Sequence, residues 1–225
     1  MRINRFIAQA TGLSRRAADR LVEQGLILAN NQPAGSGYLV TSSDTISYQG
    51  KDYTLEQVQA PDSKITLLFN KPAGYVVSRD GQGSQTIYDL LPPEYHHLKP
   101  IGRLDKYSSG LLLLSNDGDL AQQLTHPSHR KIKIYQVQLD KALQPLHRQM
   151  IQDHGINLED GNSRFTVERI VDNDDTNWQV TMYQGRNRQI RRTFSALGYH
   201  VKNLHRSQFG NYSLGDLAPE KFKQV

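Results

Sequence analysis

The sequence predicts an α+β protein in which a small N-terminal domain precedes a catalytic domain with a mixed, largely antiparallel sheet flanked by helices. Two observations support this prediction. After residue 65, strand patterns dominate, and few helical patterns are long enough to connect parallel strands regularly. Before residue 60, two short helical patterns precede short strands with glycine turns. The 225 residues suffice for two modest domains.

The N-terminal segment predicts two helices followed by a small sheet. Apolar residues recur at helical spacing over 3–10 and again over 17–22. Between them, Ser14 is a suitable N-cap for the second helix, and Gly25 follows that helix as a stop. Residues 56–64 contain a proline and little hydrophobic periodicity, so we interpret them as a linker. The predicted domains are therefore residues 1–59 and 60–225.

The larger domain shows strand signals at several places. Residues 65–78 predict a strand, a turn and a second strand, and residues 133–139 alternate polar and apolar side chains. Further strands are predicted near 164–171 and 177–184. A helix is predicted to begin after Gly185 and to end at Gly198.

Positive charge is concentrated in two places, although the net charge is only +5. Residues 1–20 carry five arginines and one acidic residue, and residues 185–206 carry six basic residues and no acidic one. Solvated helix faces usually mix both signs. Clusters of one sign favour a protein that binds a phosphate backbone.

Several classes of protein are disfavoured. The chain has no cysteine, so disulfides, thiolate nucleophiles and cysteine-based zinc sites are excluded. The eight histidines show no ligand-like spacing with carboxylates, so we expect no metal. No apolar run has the length of a signal peptide core or a membrane span, and we expect a cytoplasmic protein without membrane contact.

Asp105 is the main candidate for a reactive group. It lies between a short turn and the apolar run 111–114, which predicts a buried strand. A strand end can hold a carboxylate rigidly at the mouth of a cleft. No second candidate acid, metal-ligand set or serine–histidine pair stands near it. One aspartate would therefore carry the chemistry, with basic groups elsewhere positioning the substrate.

The segment from Gly102 to Gly118 reads GRLDKYSSGLLLLSNDG. It resembles the signature of the pseudouridine synthases, in the branch that modifies ribosomal RNA from small two-domain chains. The resemblance covers nearly all of residues 65–215, and it implies that Asp105 is the catalytic residue. The reaction breaks the bond from ribose C1′ to uracil N1 and rejoins the base through C5, so no cofactor is expected. The sequence leaves open whether Asp105 acts as a nucleophile or as a base.

Two later segments follow in the family's order. Tyr135, two residues after Lys133, resembles the family's tyrosine that stacks on the target base. Residues 184–192, QGRNRQIRR, resemble an element whose last arginine pairs with the catalytic aspartate, which implies that role for Arg191. Leu204 matches a position where an apolar side chain lines the uracil pocket.

Four basic residues are further candidates for contacts with the substrate. Lys71 belongs to a K-P-x-G turn that the resemblance puts beside the cleft, where it could contact a phosphate. Arg192 adjoins Arg191 and is also expected to meet a phosphate. Arg103 and Arg188 stand within the two motifs themselves.

The N-terminal segment resembles the alpha-L module, a small RNA-binding domain first described in a ribosomal protein. The resemblance lies in RINRFIA, GLSRRAADRLV and EQGLI. Where the family usually has a valine-asparagine-glycine turn, this chain has Asn30-Asn31, which also suits a turn. The expected RNA contacts are the five arginines of this segment: Arg2, Arg5, Arg15, Arg16 and Arg20.

The resemblance implies a monomeric enzyme that binds ribosomal RNA, flips one uridine out of its stack and isomerises it. The wording of the motifs favours the large ribosomal subunit over the small one. Two alternatives stay open: a ribosome-assembly factor that binds RNA without catalysis, and the same chemistry on transfer RNA.

Overall fold

The computed structural model describes residues 1–59 and 64–225. The chain divides into two compact units, Met1–Ser63 and Lys64–Val225. Residues 60–63 of the predicted linker lie outside the described residues. The linker predicted for residues 56–59 is wrong, because Leu55–Gln59 form a short helix. Leu55 and Val58 of this helix pack against the N-terminal core.

The N-terminal unit consists of two helices, a four-stranded antiparallel sheet in the order β2-β1-β3-β4, and the short helix α3. Its elements are α1 (Ile3–Thr11), α2 (Arg15–Glu23), β1 (Leu28–Ala29), β2 (Gln32–Pro33), β3 (Thr45–Tyr48), β4 (Lys51–Thr54) and α3 (Leu55–Gln59). Ser14 accepts a hydrogen bond from the Ala17 amide at 3.1 Å. This is the predicted cap, and such a cap contributes about 1 kcal/mol. Asn30 and Asn31 both have positive φ, at 50° and 65°, which suits the tight turn between β1 and β2.

The larger unit is dominated by strands, as its sequence predicts. Its main elements are β5 (Thr66–Lys71), β6 (Lys99–Ile101), β7 (Ser109–Ser115), α4 (Gly118–Thr125), β8 (Lys133–Leu139), α5 (Pro145–Gln149), β9 (Ile156–Leu158), β10 (Gly161–Ser163), β11 (Thr166–Arg169), β12 (Asn177–Met182), α6 (Gln189–Ala196), β13 (Val201–Phe209), β14 (Tyr212–Ser213) and β15 (Phe222–Gln224). A π-helical turn, Met150–His154, continues α5.

Nine of these strands form one mixed sheet. Its main order is β11-β12-β8-β13-β7-β5-β15, with β14 paired to β13 and β6 paired to β7. Among the strands of the described chain, β7 and β13 run parallel, and the other paired strands run antiparallel. The predicted α+β class with a mixed, largely antiparallel sheet is therefore confirmed.

The parallel pair β7–β13 depends on Gly110. This glycine has φ +102°, a conformation that side chains disfavour. A Cβ atom there would lie 2.3 Å from the carbonyl oxygen of Arg206 and 2.6 Å from its nitrogen. Only a residue without a side chain allows β13 this close to the strand that follows Asp105. This close approach brings β13 beside the Asp105 turn.

The sheet is covered on both faces. The leucines of β7 alternate, so that Leu112 and Leu114 join a large core with Trp178 and Phe194. Leu111 and Leu113 join a smaller core on the other face, under α4. Burial on both faces explains why this strand reads as an uninterrupted apolar run. Of the helices that the structure describes, none has the length and apolar character needed to cross a membrane.

Candidate active site

Asp105 lies in the turn between β6 and β7, at the mouth of a cleft of about 950 Å³. Gly102, with φ +72°, begins this turn, and the Ser108 amide closes it by donating to the Asp105 carbonyl at 3.1 Å. The Asp105 side chain is 28% exposed. The strand end therefore holds a partly exposed carboxylate in a fixed turn, as its sequence position predicts.

Lys71, at the end of β5, holds the same turn from inside. Its side chain is fully buried. Its Nζ donates hydrogen bonds to four backbone carbonyls, those of Pro72 (2.8 Å), Asp105 (3.3 Å), Lys106 (3.3 Å) and Ser108 (2.8 Å). Burial lowers the pKa of Lys71 to about 8, and the Asp105 carboxylate opposes that shift.

This burial corrects the predicted contact of Lys71 with a phosphate. The β5–β7 register pairs Lys71 with Gly110, so the lysine lies beneath the turn and not on its outer surface. The carbonyls of a tight turn point toward it and replace the water that a turn lysine normally contacts. Lys71 is therefore a positioning residue for Asp105.

Tyr135 and Leu204 line the cleft from neighbouring strands. The β8–β13 register pairs Tyr135 with Arg206 and Leu204 with Val137, which puts all four side chains on one face of the sheet. Tyr135 is 8% exposed and Leu204 7% exposed. The structure thus brings together in one cleft three predicted residues from distant segments: Asp105, Tyr135 and Leu204.

Arg191 contacts the Asp105 turn but not the Asp105 carboxylate. Its Nη2 donates to the Tyr107 carbonyl at 2.8 Å, and its Nη1 donates to the Val201 carbonyl at 2.7 Å. Burial and the charge of Arg188 lower the pKa of Arg191, whereas the Asp105 charge raises it, so the two groups interact at longer range. Arg191 ties helix α6 to the turn.

The ion pair predicted for Arg191 is made instead by Arg188, and this corrects the prediction. Arg188 Nη1 lies 3.9 Å from Asp105 Oδ2. The predicted helix would begin directly after Gly185, but Arg188 has φ +45° and α6 begins only at Gln189. This left-handed residue is the N-cap of α6, and its guanidinium lies beside the cleft.

Arg192 is not among the residues that line the cleft, and a carboxylate holds its side chain. Its two terminal nitrogens donate to the two oxygens of Asp160 at 3.0 and 2.7 Å. Arg186 contacts the same carboxylate at 3.1 Å. Arg192 lines a separate cavity of about 150 Å³. The predicted phosphate contact of Arg192 does not match this arrangement, because its guanidinium already has a bidentate partner.

The rim of the cleft is rich in basic side chains, two of which the sequence motifs indicate. Arg103 and Arg188 line the cleft and are exposed, which is compatible with the predicted contacts to the substrate. Arg130 and Lys131 join them from the loop between α4 and β8. Nothing in the local pattern of that loop indicates that it reaches the Asp105 cleft.

Two basic residues on the floor of the cleft are absent from the predicted site: Lys133 and Arg206. The signal for Lys133 is present in the sequence, because the period of two that turns Tyr135 inward also turns Lys133 to the same face. Arg206 follows Leu204 by two residues on β13 and shares its face for the same reason. Strand periodicity could therefore have found both.

The N-terminal arginines lie on the surface of their own unit. Arg2, Arg15, Arg16 and Arg20 are exposed, and Arg5 is partly buried. Arg15 and Arg16 begin helix α2, and Arg20 lies in its last turn. The exposure of these side chains is compatible with the predicted contacts to RNA.

The two units match two known domain families. Residues 1–46 match the S4 domain. Residues 65–196 match the family described as RNA pseudouridylate synthase. The chain belongs to the RNA pseudouridylate synthase family. The family and the N-terminal module that the sequence predicts are thereby confirmed.

Named relatives and a solved structure agree with this assignment. The chain is 35% identical to ribosomal large subunit pseudouridine synthase B of Xanthomonas campestris, over 95% of this chain and 44% of that protein. It is 32% identical to the protein of the same name in Bacillus subtilis, over 96% of this chain and 88% of that protein. The chain spans less than half the length of the first curated relatives that it matches.

A crystal structure titled as a pseudouridylate synthase has the same fold. It superposes with a TM-score of 0.70 at 28% identity, and the match covers 100% of this chain and 96% of the other. The combination of an N-terminal module and a mixed sheet is therefore one that the family is known to adopt.

Proposed function

We propose that this chain isomerises a specific uridine of ribosomal RNA to pseudouridine, with Asp105 as the catalytic carboxylate. The observation that carries the proposal is the meeting of Asp105, Tyr135 and Leu204 in one cleft of a chain that belongs to this family. The relatives from Xanthomonas and Bacillus are named for the large ribosomal subunit, which favours that subunit's RNA as substrate. Such a substrate would place the protein in the cytoplasm.

The cleft suits a flipped nucleotide. A base pulled out of its stack loses contacts with its neighbours, and an aromatic ring can replace them at about 1–3 kcal/mol. Tyr135 offers such a ring from the floor of the cleft, and Leu204 adds an apolar surface beside it. Asp105 at the mouth would face the ribose, where a carboxylate can attack C1′ or remove a proton.

The surrounding cations have two roles in this proposal. Arg188, 3.9 Å from the Asp105 carboxylate, favours the ionised form that either route requires. The exposed guanidinium of Arg103 and the basic loop 126–132 would meet the phosphates on either side of the flipped nucleotide. The exposed arginines of the S4 domain would bind RNA elsewhere on the same substrate.

The test is a map of pseudouridine in ribosomal RNA from cells with and without this protein. We expect one or a few uridines to lose the modification in its absence and to regain it when the chain is restored. A map that stays unchanged in ribosomal RNA but changes in transfer RNA would show that transfer RNA is the substrate. A map unchanged in both, together with altered ribosome assembly, would replace the enzyme by an assembly factor.

A further inference from the structure

Arg206 is a buried cation whose hydrogen bonding is incomplete. Its side chain is 2% exposed and lines the floor of the cleft. Its Nε donates to the Leu111 carbonyl at 2.8 Å. The buried Nη2 has no hydrogen-bond partner. A guanidinium left in this state is costly unless an acceptor arrives from outside the protein.

Lys133 lies beside Arg206 and is a second, partly buried cation of the cleft. Its Nζ is 5.3 Å from the centre of the Phe209 ring, and the guanidinium carbon of Arg206 is 4.8 Å from the same centre. The Lys133 ammonium has only long contacts, to the carbonyls of Lys131 at 3.2 Å and Tyr183 at 3.4 Å. Burial and the charge of Arg206 lower the pKa of Lys133 to about 8.

The carboxylates that line the cleft do not neutralise this pair. They are Asp105 and Asp160. Asp160 is held by Arg186 and Arg192, and the Asp105 carboxylate pairs with Arg188 at 3.9 Å. In the described part of the chain, neither Lys133 nor Arg206 forms a salt bridge. A buried and an adjacent partly buried cation without a counter-charge form a site prepared for an anion.

The position of the pair indicates which part of an RNA substrate supplies that anion. Arg206 lies opposite Tyr135 in the sheet and two residues after Leu204, so the pair shares the surface that we assign to the base. The exposed cations that suit phosphates, such as Arg103 and Arg188, lie on the rim. Because a flipped nucleotide enters base first, its phosphates stay near the rim while its base reaches the floor.

We propose that Lys133 and Arg206 stabilise the negative charge that develops on the uracil ring when its bond to the ribose breaks. This inference rests on the proposed function. When the N1–C1′ bond breaks, its electron pair stays on the base, which becomes a uracil anion. If Asp105 is a nucleophile, a new bond joins its oxygen to C1′. If Asp105 is a base, it takes the C2′ proton and a C1′–C2′ double bond forms. Both routes give the same anion.

The chemical benefit lies in the difference between the two states of the base. Uridine bound in the cleft is neutral, so the cations repel each other as they do in the free protein. The anion attracts both, which lowers the energy of the transition state more than that of the bound substrate. When the base has turned, C5 bonds to C1′ as the Asp105 oxygen leaves C1′ or, in the other route, as C2′ regains its proton from Asp105. This bond neutralises the ring. Transfer of the C5 proton to N1 then gives pseudouridine, a neutral product that is released.

The test compares two leaving groups. RNA carrying the mapped target uridine, or 5-fluorouridine at the same position, is reacted at saturating enzyme in a single turnover, and loss of the starting nucleoside is measured. Fluorine withdraws electrons and stabilises the anion by itself. The variants are Lys133→Met, Arg206→Met and the charge-retaining Arg206→Lys. Lys99→Met, which removes an exposed strand lysine outside the cleft, is the matched control.

We expect Lys133→Met to lower the single-turnover rate with uridine about 100-fold. A loss of this size is typical when one group that stabilises developing charge is removed. The same variant should lower the rate with 5-fluorouridine much less. Arg206→Lys should keep more of the rate with uridine than Arg206→Met. An equal loss for both nucleosides would overturn the proposal in favour of a structural role. Weaker RNA binding with an unchanged saturated rate would overturn it in favour of a phosphate site. An inactive wild type on the mapped RNA would count against the proposed function instead.

Discussion

Arginines serve different purposes in the two units of this chain. In the N-terminal unit, Arg15 and Arg16 begin a helix and extend into solvent. In the larger unit, Arg191 bridges two backbone carbonyls, and Arg206 is buried in the floor of a cleft. Exposed cations attract phosphates over a distance and lose strength in salt. Cations that are buried or held by hydrogen bonds, called fixed cations below, cannot adjust to the flexible backbone of an RNA. They can hold reacting groups in place.

This difference separates two kinds of effect. Changes in the N-terminal unit should alter the affinity for RNA and its salt dependence, with little effect on the rate at saturation. Changes around Asp105 should alter the saturated rate, with little effect on affinity. Variants of both units test this division, and the largest effect is expected at Asp105.

Asp105→Asn should reduce the single-turnover rate at saturating RNA by about 10⁴-fold or more, at the upper end for one positioned acid–base group. The amide is nearly the same size but can act neither as nucleophile nor as base. Folding and RNA affinity should change little. Asp216→Asn, which alters an exposed aspartate of the same unit, is the control. A normal yield of pseudouridine from the Asp105 variant would remove Asp105 from its assigned role.

Lys71→Met tests whether a cation that never touches the substrate still determines the rate. The variant removes the ammonium that donates to three carbonyls of the Asp105 turn and to the carbonyl of Pro72. We expect a loss of about 100-fold in the saturated rate, since displacement of a reacting group by about 1 Å has that effect. The free energy of unfolding should fall by about 1–3 kcal/mol, because buried carbonyls lose their donor. RNA affinity measured separately should stay near the wild-type value.

The pH dependence of stability gives Lys71 a second signature. Its pKa is about 8 in the folded chain, whereas a solvated lysine of the unfolded chain has the ordinary value of 10.5. Between these values the unfolded chain binds more protons, so this lysine makes the free energy of unfolding rise as pH rises. Lys71→Met lacks that contribution. Urea unfolding at several pH values from about 7 to 10.5 should show the wild type gaining stability over the variant. A constant difference would contradict the buried position of Lys71.

Local patterns predicted a large part of this arrangement. The alternation over 133–139 predicted strand β8 with both bounds correct, because a sheet with a buried face imposes a period of two. Ser14 was recognised as a cap because its chemistry is local. The family resemblance predicts that Asp105, Tyr135 and Leu204 share one site, and the structure brings them into one cleft.

The wrong or missed predictions concern features that the local sequence pattern does not determine. A lysine in a turn is normally solvated, and only the pairing of β5 with β7 places Lys71 beneath the Asp105 turn. The pairing of Asp105 with Arg188 depends on one left-handed residue before α6, which no periodicity reveals. Strand β15 has three residues and forms because β5 offers a free edge for it.

Arg191→Ala should lower the saturated rate about 10- to 100-fold, a smaller effect than that of Lys71, because other contacts still hold the turn. The variant loses the link from α6 to the Tyr107 carbonyl beside Asp105. Arg191→Lys should restore only part of the rate, since an ammonium does not reproduce a planar fork that spans two carbonyls. Arg192→Ala, which removes the neighbouring arginine paired with Asp160, is the matched comparison and should keep most of the rate. Equal losses in the Arg191 and Arg192 variants would contradict the assigned link.

The smallest change in rate is expected for the double variant Arg15→Ala and Arg16→Ala. These side chains are exposed at the start of α2, where they can approach a phosphate backbone without rearrangement. Each lost phosphate contact should reduce the slope of log affinity against log salt by about 0.7–0.9. Turnover should slow at low RNA concentration and recover at saturation. Gln9→Ala, at another exposed position of the same unit, is the control. A salt slope equal to that of the wild type would mean that these two arginines are merely solvated, and the division between exposed and fixed cations would then hold only for the larger unit.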